Sequence, residues 1–330
     1  MLQNTSSNAQ ENYKIMEIRC TLCPRRCGAV RGDEKAGGIC RSPLLPRIAR
    51  AAPHYGEEPC IAGPNGTGAV FFTGCNLRCV FCQNIDISRG EGGEIVTVPE
   101  LRDMLLRLRD RGVDSIDLVT GAHYITAIAE ALSGLSLGIP VVWNSSGYES
   151  ADSLRMLEGL VQVYMPDFKY FDPKAAKRYS AATDYPEAAS AAIKEMFRQV
   201  GPYVLDDRGL MKRGVLIRHL ILPGRAEDAR DVIDFAADEF PRGSVLFSLM
   251  SQYTPMPGLE RFPELNARVT AEENRELIHY MQVRHLDGFW QENDAATKEM
   301  IPDWDLTGVN SITLGSPSGG AVTARPPHAP

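Results

Sequence analysis

Eight cysteines stand at positions 20, 23, 27, 40, 60, 75, 79 and 82, and none follows in the remaining three quarters of the chain. Three of them, Cys75, Cys79 and Cys82, fall within the stretch GCNLRCVFCQN. A scattered set of buried structural thiols would not segregate in this way, so metal chemistry is expected to enter at one end of the fold. The N-terminus, MLQNTSSNAQENYKI, is polar and lacks the basic start and apolar run of a signal peptide. A cytoplasmic, reducing setting is expected, where clustered thiols serve metal or redox chemistry rather than disulfides. Three thiolates on one short loop suit three irons of a cubane iron–sulfur cluster, and the usual fourth cysteine is missing. One iron is then left open, which separates a catalytic metal site from a closed structural one. A zinc site completed by a distant histidine, or three unrelated thiols, are the alternatives.

Cys20, Cys23, Cys27 and Cys40 form a second group in CTLCPRRCGAVRGDEKAGGIC. Their spacing gives a plausible four-thiolate site for zinc, iron or an auxiliary iron–sulfur cluster. Bound metal would supply the folding free energy that so apolar-poor a segment lacks. Cys60 is left over as a buried thiol. Arg25 and Arg26 either screen the thiolates or are solvated.

The elements that must position these groups are legible from residue 67 onward. Short apolar runs recur at 68–74, 115–121, 139–145, 161–167, 214–222 and 244–250. Near-continuous apolarity suits parallel strands buried on both faces. Helical patterns lie between them, among them PELRDMLLRLRDRG, with Leu101, Met104, Leu105 and Leu108 on one stripe. Alternating strands and helices indicate an α/β fold. The expectation is an incomplete (β/α)6 TIM-type barrel with a small N-terminal Cys-rich, metal-bound module; a doubly wound sheet is the alternative. The division expected is a disordered lead at 1–17, the Cys-rich module at 18–62, the barrel with a C-terminal cap at 63–309, and a disordered tail at 310–330. A net charge of −7 and the absence of a long apolar run argue against nucleic-acid and membrane partners.

The loop CNLRCVFCQN, with Phe81 before its third cysteine and a strand before it, resembles the cluster loop of the radical S-adenosylmethionine (SAM) superfamily. GYE, PDFKY, RHLILPG and SQYTP further along resemble the branch that includes pyruvate formate-lyase activating enzymes, over roughly residues 18 to 306. The resemblance implies a [4Fe–4S] cluster on Cys75, Cys79 and Cys82 whose free iron binds SAM. One electron, from a flavodoxin or ferredoxin, would cleave SAM to methionine and a 5′-deoxyadenosyl radical that removes a hydrogen atom from the substrate. The Gly-Gly-Glu type motif of many such enzymes is replaced here by Thr120, Gly121, Ala122 and His123.

Residues at the C-terminal ends of barrel strands are the candidates for cofactor and substrate contacts. Asn84, His123, Asn144, Ser146 and Arg218 are the expected SAM contacts. His123, Asn144 and Ser146 have helix capping as their plainer role, and Arg218 an internal salt bridge. Glu57, Glu58, Asp167, Lys169 and Tyr253 are the expected catalytic residues; Asp167 and Lys169 would otherwise be a salt-bridged pair, and Tyr253 a packing residue. Three functions fit: a radical SAM enzyme activating a glycyl radical enzyme, one modifying a small molecule or peptide, or a non-catalytic metal-stabilised binding or electron-transfer protein. Protein substrates of activating enzymes need an open lateral mouth, which a six-unit barrel has.

Overall fold

A computed structural model describes residues 19–291 and 302–309. The expected lead at 1–17 and tail at 310–330 lie outside the described residues. Ten strands form one sheet: β1 (Arg47–His54), β2 (Thr67–Phe72), β3 (Glu94–Ile95), β4 (Ser115–Val119), β5 (Val141–Ser145), β6 (Val163–Pro166), β7 (Val204–Leu205), β8 (Met211–Leu220), β9 (Leu246–Met250) and β10 (Gly288–Trp290). Between them run α1 (Pro59–Ala62), α2 (Ile85–Ser88), α3 (Val98–Asp110), α4 (Ile125–Leu132), α5 (Ala151–Leu154), α6 (Pro173–Ser180), α7 (Tyr185–Val200), α8 (Ala226–Asp238) and α9 (Ala271–Val283).

The strand order is β10-β9-β8-β6-β5-β4-β2-β1-β3, with β7 paired to β8. The six apolar runs became β2, β4, β5, β6, β8 and β9, parallel and in chain order. This is a mixed α/β fold with a mostly parallel sheet. Helix α3 shows how the sequence punctuates it. Thr97 accepts from the Glu100 N–H and Glu100 reaches back to the Thr97 N–H, a reciprocal capping box, with Pro99 in the first turn. Its stripe of Leu101, Met104, Leu105 and Leu108 is buried.

The register sorts the strand side chains into two faces. Ile116, Leu118, Trp143, Tyr164, Val215, Ile217 and Phe247 join the large core with the helices. Alternate residues face the other way. There Val142, Val163, Met165, Leu216 and Leu246 pack on Cys60 and Ile61 of α1, so this short helix forms an apolar floor. Cys60 is buried in it, and burial pushes its thiol far up.

Strands β1 and β10 lie outside the six apolar runs. β1 lies inside the 18–62 stretch expected to belong to the Cys-rich module, yet it pairs antiparallel to β2 along most of its length. Ile48, Ala49, Ala51 and Ala52 bury small side chains there while Arg47 and Arg50 are partly exposed. At the other edge β10 pairs parallel to β9, where only a cap was expected. Residues 302–309 return to β1: the Ala51 N–H donates to the Thr307 carbonyl at 2.9 Å. Trp304 meets Phe71 edge-on at 5.3 Å, beside Ala49, Ala69, Ile87 and Val119. Among the described residues no helix is long and apolar enough to cross a membrane.

Candidate functional site

β2 delivers the three-thiol loop. The chain leaves the strand through Gly74, at φ 93°, where an added Cβ would lie 2.3 Å from Ser42 Oγ and 2.6 Å from the Cys40 carbonyl oxygen. Only glycine fits so close an approach. The Leu77 and Arg78 N–H groups both donate to Cys75 Sγ at 3.4 Å. Phe81 is held edge-on by Tyr170, Tyr179 and Tyr253 with centroids 6.0–6.3 Å away. Tyr253 is buried with its hydroxyl bonded to the Leu265 carbonyl, so the structure places it in this packing.

Burial pushes Cys75 and Cys82 up, Cys82 to about 12, and Cys79 adds to the rise at both. As free thiols they would stay protonated and inert, whereas iron ligation deprotonates a thiol outright. Lys169 stands beside them: burial lowers its ammonium, but Asp167 at 2.6 Å and Cys79 outweigh that and raise it. Among the described residues no group of three or more His, Cys, Asp or Glu side chains is arranged to hold a single metal ion. Thiols that each serve a different iron need not meet at one point. The donor set, its N–H···S bonds and the neighbouring cation fit a cluster.

Below the loop lies a polar layer above the α1 floor. Arg218, on the inner face of β8, engages every arm of its guanidinium: Nε with Asp167 at 2.8 Å, Nη1 with Glu57 at 2.9 Å, Nη2 with Asn144 Oδ1 at 2.7 Å. Burial lowers Arg218, but Asp167 and Glu57 more than restore it. Asp167 in turn is held below the usual carboxylate range: burial raises it, and Arg218 and Lys169 outweigh that. Asn144 Nδ2 bridges Glu57 and Asp117, each at 3.2 Å. Glu58, the residue before α1, accepts from Ser248 Oγ at 2.8 Å, and burial raises it. Glu57 and Glu58 therefore enter this layer from the floor side.

Asp117 was not singled out from the sequence. It is a lone acid inside the apolar run SIDLV, wholly buried on the inner face of β4, with Oδ1 unpartnered. Burial, then Glu57, raise it well above its ordinary value. An acid inside an otherwise apolar strand was the signal available.

The structure thus brings together Glu57, Glu58, Asn144, Asp167, Lys169 and Arg218, and sets others apart. His123 lies behind the loop, its Nε2 2.9 Å from the Thr73 carbonyl, and its ring does not cap α4. Burial lowers it to about 3, so it is neutral. It lines a cavity together with Cys20, Cys23, Cys27 and Cys40. Ser146 offers its carbonyl to the Tyr185 hydroxyl. Asn84 precedes α2 without a side-chain cap bond. Arg25 lines the same cavity, and its guanidinium donates to the carbonyls of Asn76 at 3.0 Å, Leu77 at 3.2 Å, Ser180 at 2.6 Å and Ala181. Arg26 is exposed.

Glu149 is a further buried acid, accepting from Trp143 Nε1 at 2.7 Å and Ser145 Oγ at 2.5 Å. Burial pushes it up to about 7. An acid raised in the folded state favours folding least once it ionises, so stability falls as pH climbs from the ordinary carboxylate value through about 7. Glu149→Gln is expected to stabilise the protein by roughly 2–3 kcal/mol above pH 8 and to be near neutral at pH 5. Urea unfolding at the two pH values, under argon, checks this.

Residues 69–236 match the family model described as the radical SAM superfamily. The chain is 29% identical over 278 residues to an uncharacterized protein of Methanocaldococcus jannaschii, MJ0674, covering 81% of this chain and 75% of that one. A segment of 49 residues is 43% identical to the pyruvate formate-lyase-activating enzyme of Clostridium pasteurianum, 15% of this chain and 21% of that one. Among solved structures it is similar to Streptococcus suis SuiB bound to S-adenosylmethionine, with a TM-score of 0.45 and 15% identity. That match covers 66% of this chain and 48% of SuiB, so the chain spans about half of SuiB's length. A domain of a pyruvate-formate lyase-activating enzyme from Bacteroides vulgatus matches at a TM-score of 0.35 and 12% identity, over 51% of this chain and 89% of that one.

Proposed function

The chain belongs to the radical SAM superfamily, and from that membership we propose that it is an enzyme in which Cys75, Cys79 and Cys82 hold a [4Fe–4S] cluster with SAM on its open iron. When bound, the pair supplies a one-electron carbon–sulfur cleavage and a 5′-deoxyadenosyl radical for hydrogen-atom abstraction. The observation that carries this reading is the three-thiol loop itself, at the end of β2 with Cys75 and Cys79 buried, Cys82 half-buried and two N–H donors on Cys75.

The chain's own residues would then position and shield. Phe81 and its tyrosine cage fix the loop. α1 closes the floor, which keeps water from reaching a radical through that end. Lys169 offsets thiolate charge beside Cys79. Asn84, whose side chain has no partner among the described residues, is suited to SAM. Asn144 and Arg218 hold the polar layer together and meet SAM or substrate only by yielding a present partner. We read the parallel strands as an incomplete six-unit barrel. We read the four-cysteine set as a second site for an iron–sulfur cluster that stabilises the segment from residue 19 to β1, since among the described residues its thiols are not gathered around a single zinc or iron ion; iron and zinc per chain, measured anaerobically, test it.

The short likeness to an activating enzyme supports a glycine of a partner enzyme as target. The sheet edges support a different target. A six-strand barrel would leave the outer edges of β2 and β9 at its lateral mouth, and here β1 and β10 occupy both. That favours a small molecule or peptide, which needs less room than a protein loop. Anaerobic turnover with deuterated candidates is expected to move deuterium into 5′-deoxyadenosine for a small substrate. Transfer only from a glycyl radical enzyme would reverse the choice.

A further inference from the structure

Charge is segregated on this chain. It carries a net −7, yet residues 19–50 hold eight basic and only two acidic side chains. The cluster loop adds Arg78, and the turn after α2 adds Arg89. None of Arg26, Arg41, Arg47, Arg78 and Arg89 forms an ion pair with a carboxylate among the described residues. Backbone carbonyls hold three of them instead. Arg78 Nη1 donates to the Ile39 carbonyl at 3.3 Å, and Arg47 Nη1 to that of Gly90 at 3.2 Å. Arg89 donates to the carbonyls of Arg78 at 3.4 Å and Cys79 at 3.5 Å. Arg41 is exposed and stacks against Gly90, where an added Cβ would come within 2.8 Å of its own. Ile39 and Leu44, both exposed, put apolar surface among them.

We propose that this cationic face is the docking surface for an acidic electron-donor protein, which passes one electron through the Arg78–Cys79 backbone to the cluster behind it. The proposal rests on the radical SAM reading above. The donor is oxidised by one electron and the cluster is reduced by one; no atom is transferred. Opposed charge steers such encounters and makes their rate depend on salt. Three guanidinium groups fixed by carbonyls, not acids, with the exposed Arg41 beside them, keep their charge available to a partner, and the proposed cluster ligand Cys79 lies one hydrogen bond from the face.

The test uses the iron-loaded full chain and two reductants, a fully reduced flavodoxin as acidic donor and photoreduced deazaflavin as a small neutral one. Cluster bleaching is followed by stopped flow. Flavodoxin-driven reduction is expected to fall at least about tenfold in the Arg26→Glu/Arg41→Glu double variant, and likewise in the wild type as KCl rises from about 50 to about 300 mM. Deazaflavin-driven reduction should not change. Equal rates with flavodoxin in variant and wild type would overturn the proposal. So would a parallel loss with both reductants, which would mean that the arginines tune the cluster. A wild type that yields no 5′-deoxyadenosine even with deazaflavin overturns the radical SAM reading, and the docking proposal with it.

Discussion

Replacing Cys79 with alanine is expected to reduce SAM cleavage to background while the parallel sheet and its helices stay folded. Cys79 is buried in the loop, and its removal leaves two thiols for a cluster that needs three. The packing cost is small, about 1–2 kcal/mol for a truncated buried side chain of this size. Iron per chain and 5′-deoxyadenosine formed under anaerobic reduction are the readouts, with circular dichroism as the check on folding. Cys60→Ala is the control. That thiol is equally buried but sits in the α1 floor, so iron and turnover should survive its loss. Full turnover in the Cys79 variant would remove the site from this loop.

Arg218→Met should destabilise the fold by about 3–5 kcal/mol at pH 7. The arginine is the shared partner of Glu57, Asp167 and Asn144, and methionine would leave two largely buried carboxylates without a cation on that side. The pH dependence follows from Asp167, which the folded protein holds below the usual carboxylate range. Such a group stabilises above the ordinary carboxylate pKa and loses that contribution as pH falls. The gap between variant and wild type should therefore narrow on acidification toward pH 4. Arg218→Lys keeps the charge but loses the three-way fork, so an intermediate loss is expected. A pH-independent difference in urea unfolding would mean that lost packing, not stranded charge, is responsible.

The parallel strands were readable because burial on both faces leaves long apolar runs, and the three-thiol loop because its residues are adjacent in sequence. β1 was not, since RIARAAPH buries alanines between arginines and carries little of the β-branched signal that marks a strand. Arg218, Asp167 and Glu57 were each visible as candidates, but their mutual pairing joins residues far apart in the chain. Asp117 stood out as the lone acid of SIDLV, but reading that run only for its apolarity passed over it. His123 was placed by counting from a strand end, which gives the loop but not the direction of the ring; in the fold it turns toward the four-cysteine cavity.

The Arg25 clamp also has a meaning for biosynthesis. Its acceptors at Asn76 and Leu77 are made about fifty residues after it, and those at Ser180 and Ala181 more than a hundred and fifty after it. On the ribosome the clamp can therefore close only in two stages, first on the cysteine loop and then, once α6 has emerged, on the turn that ends it.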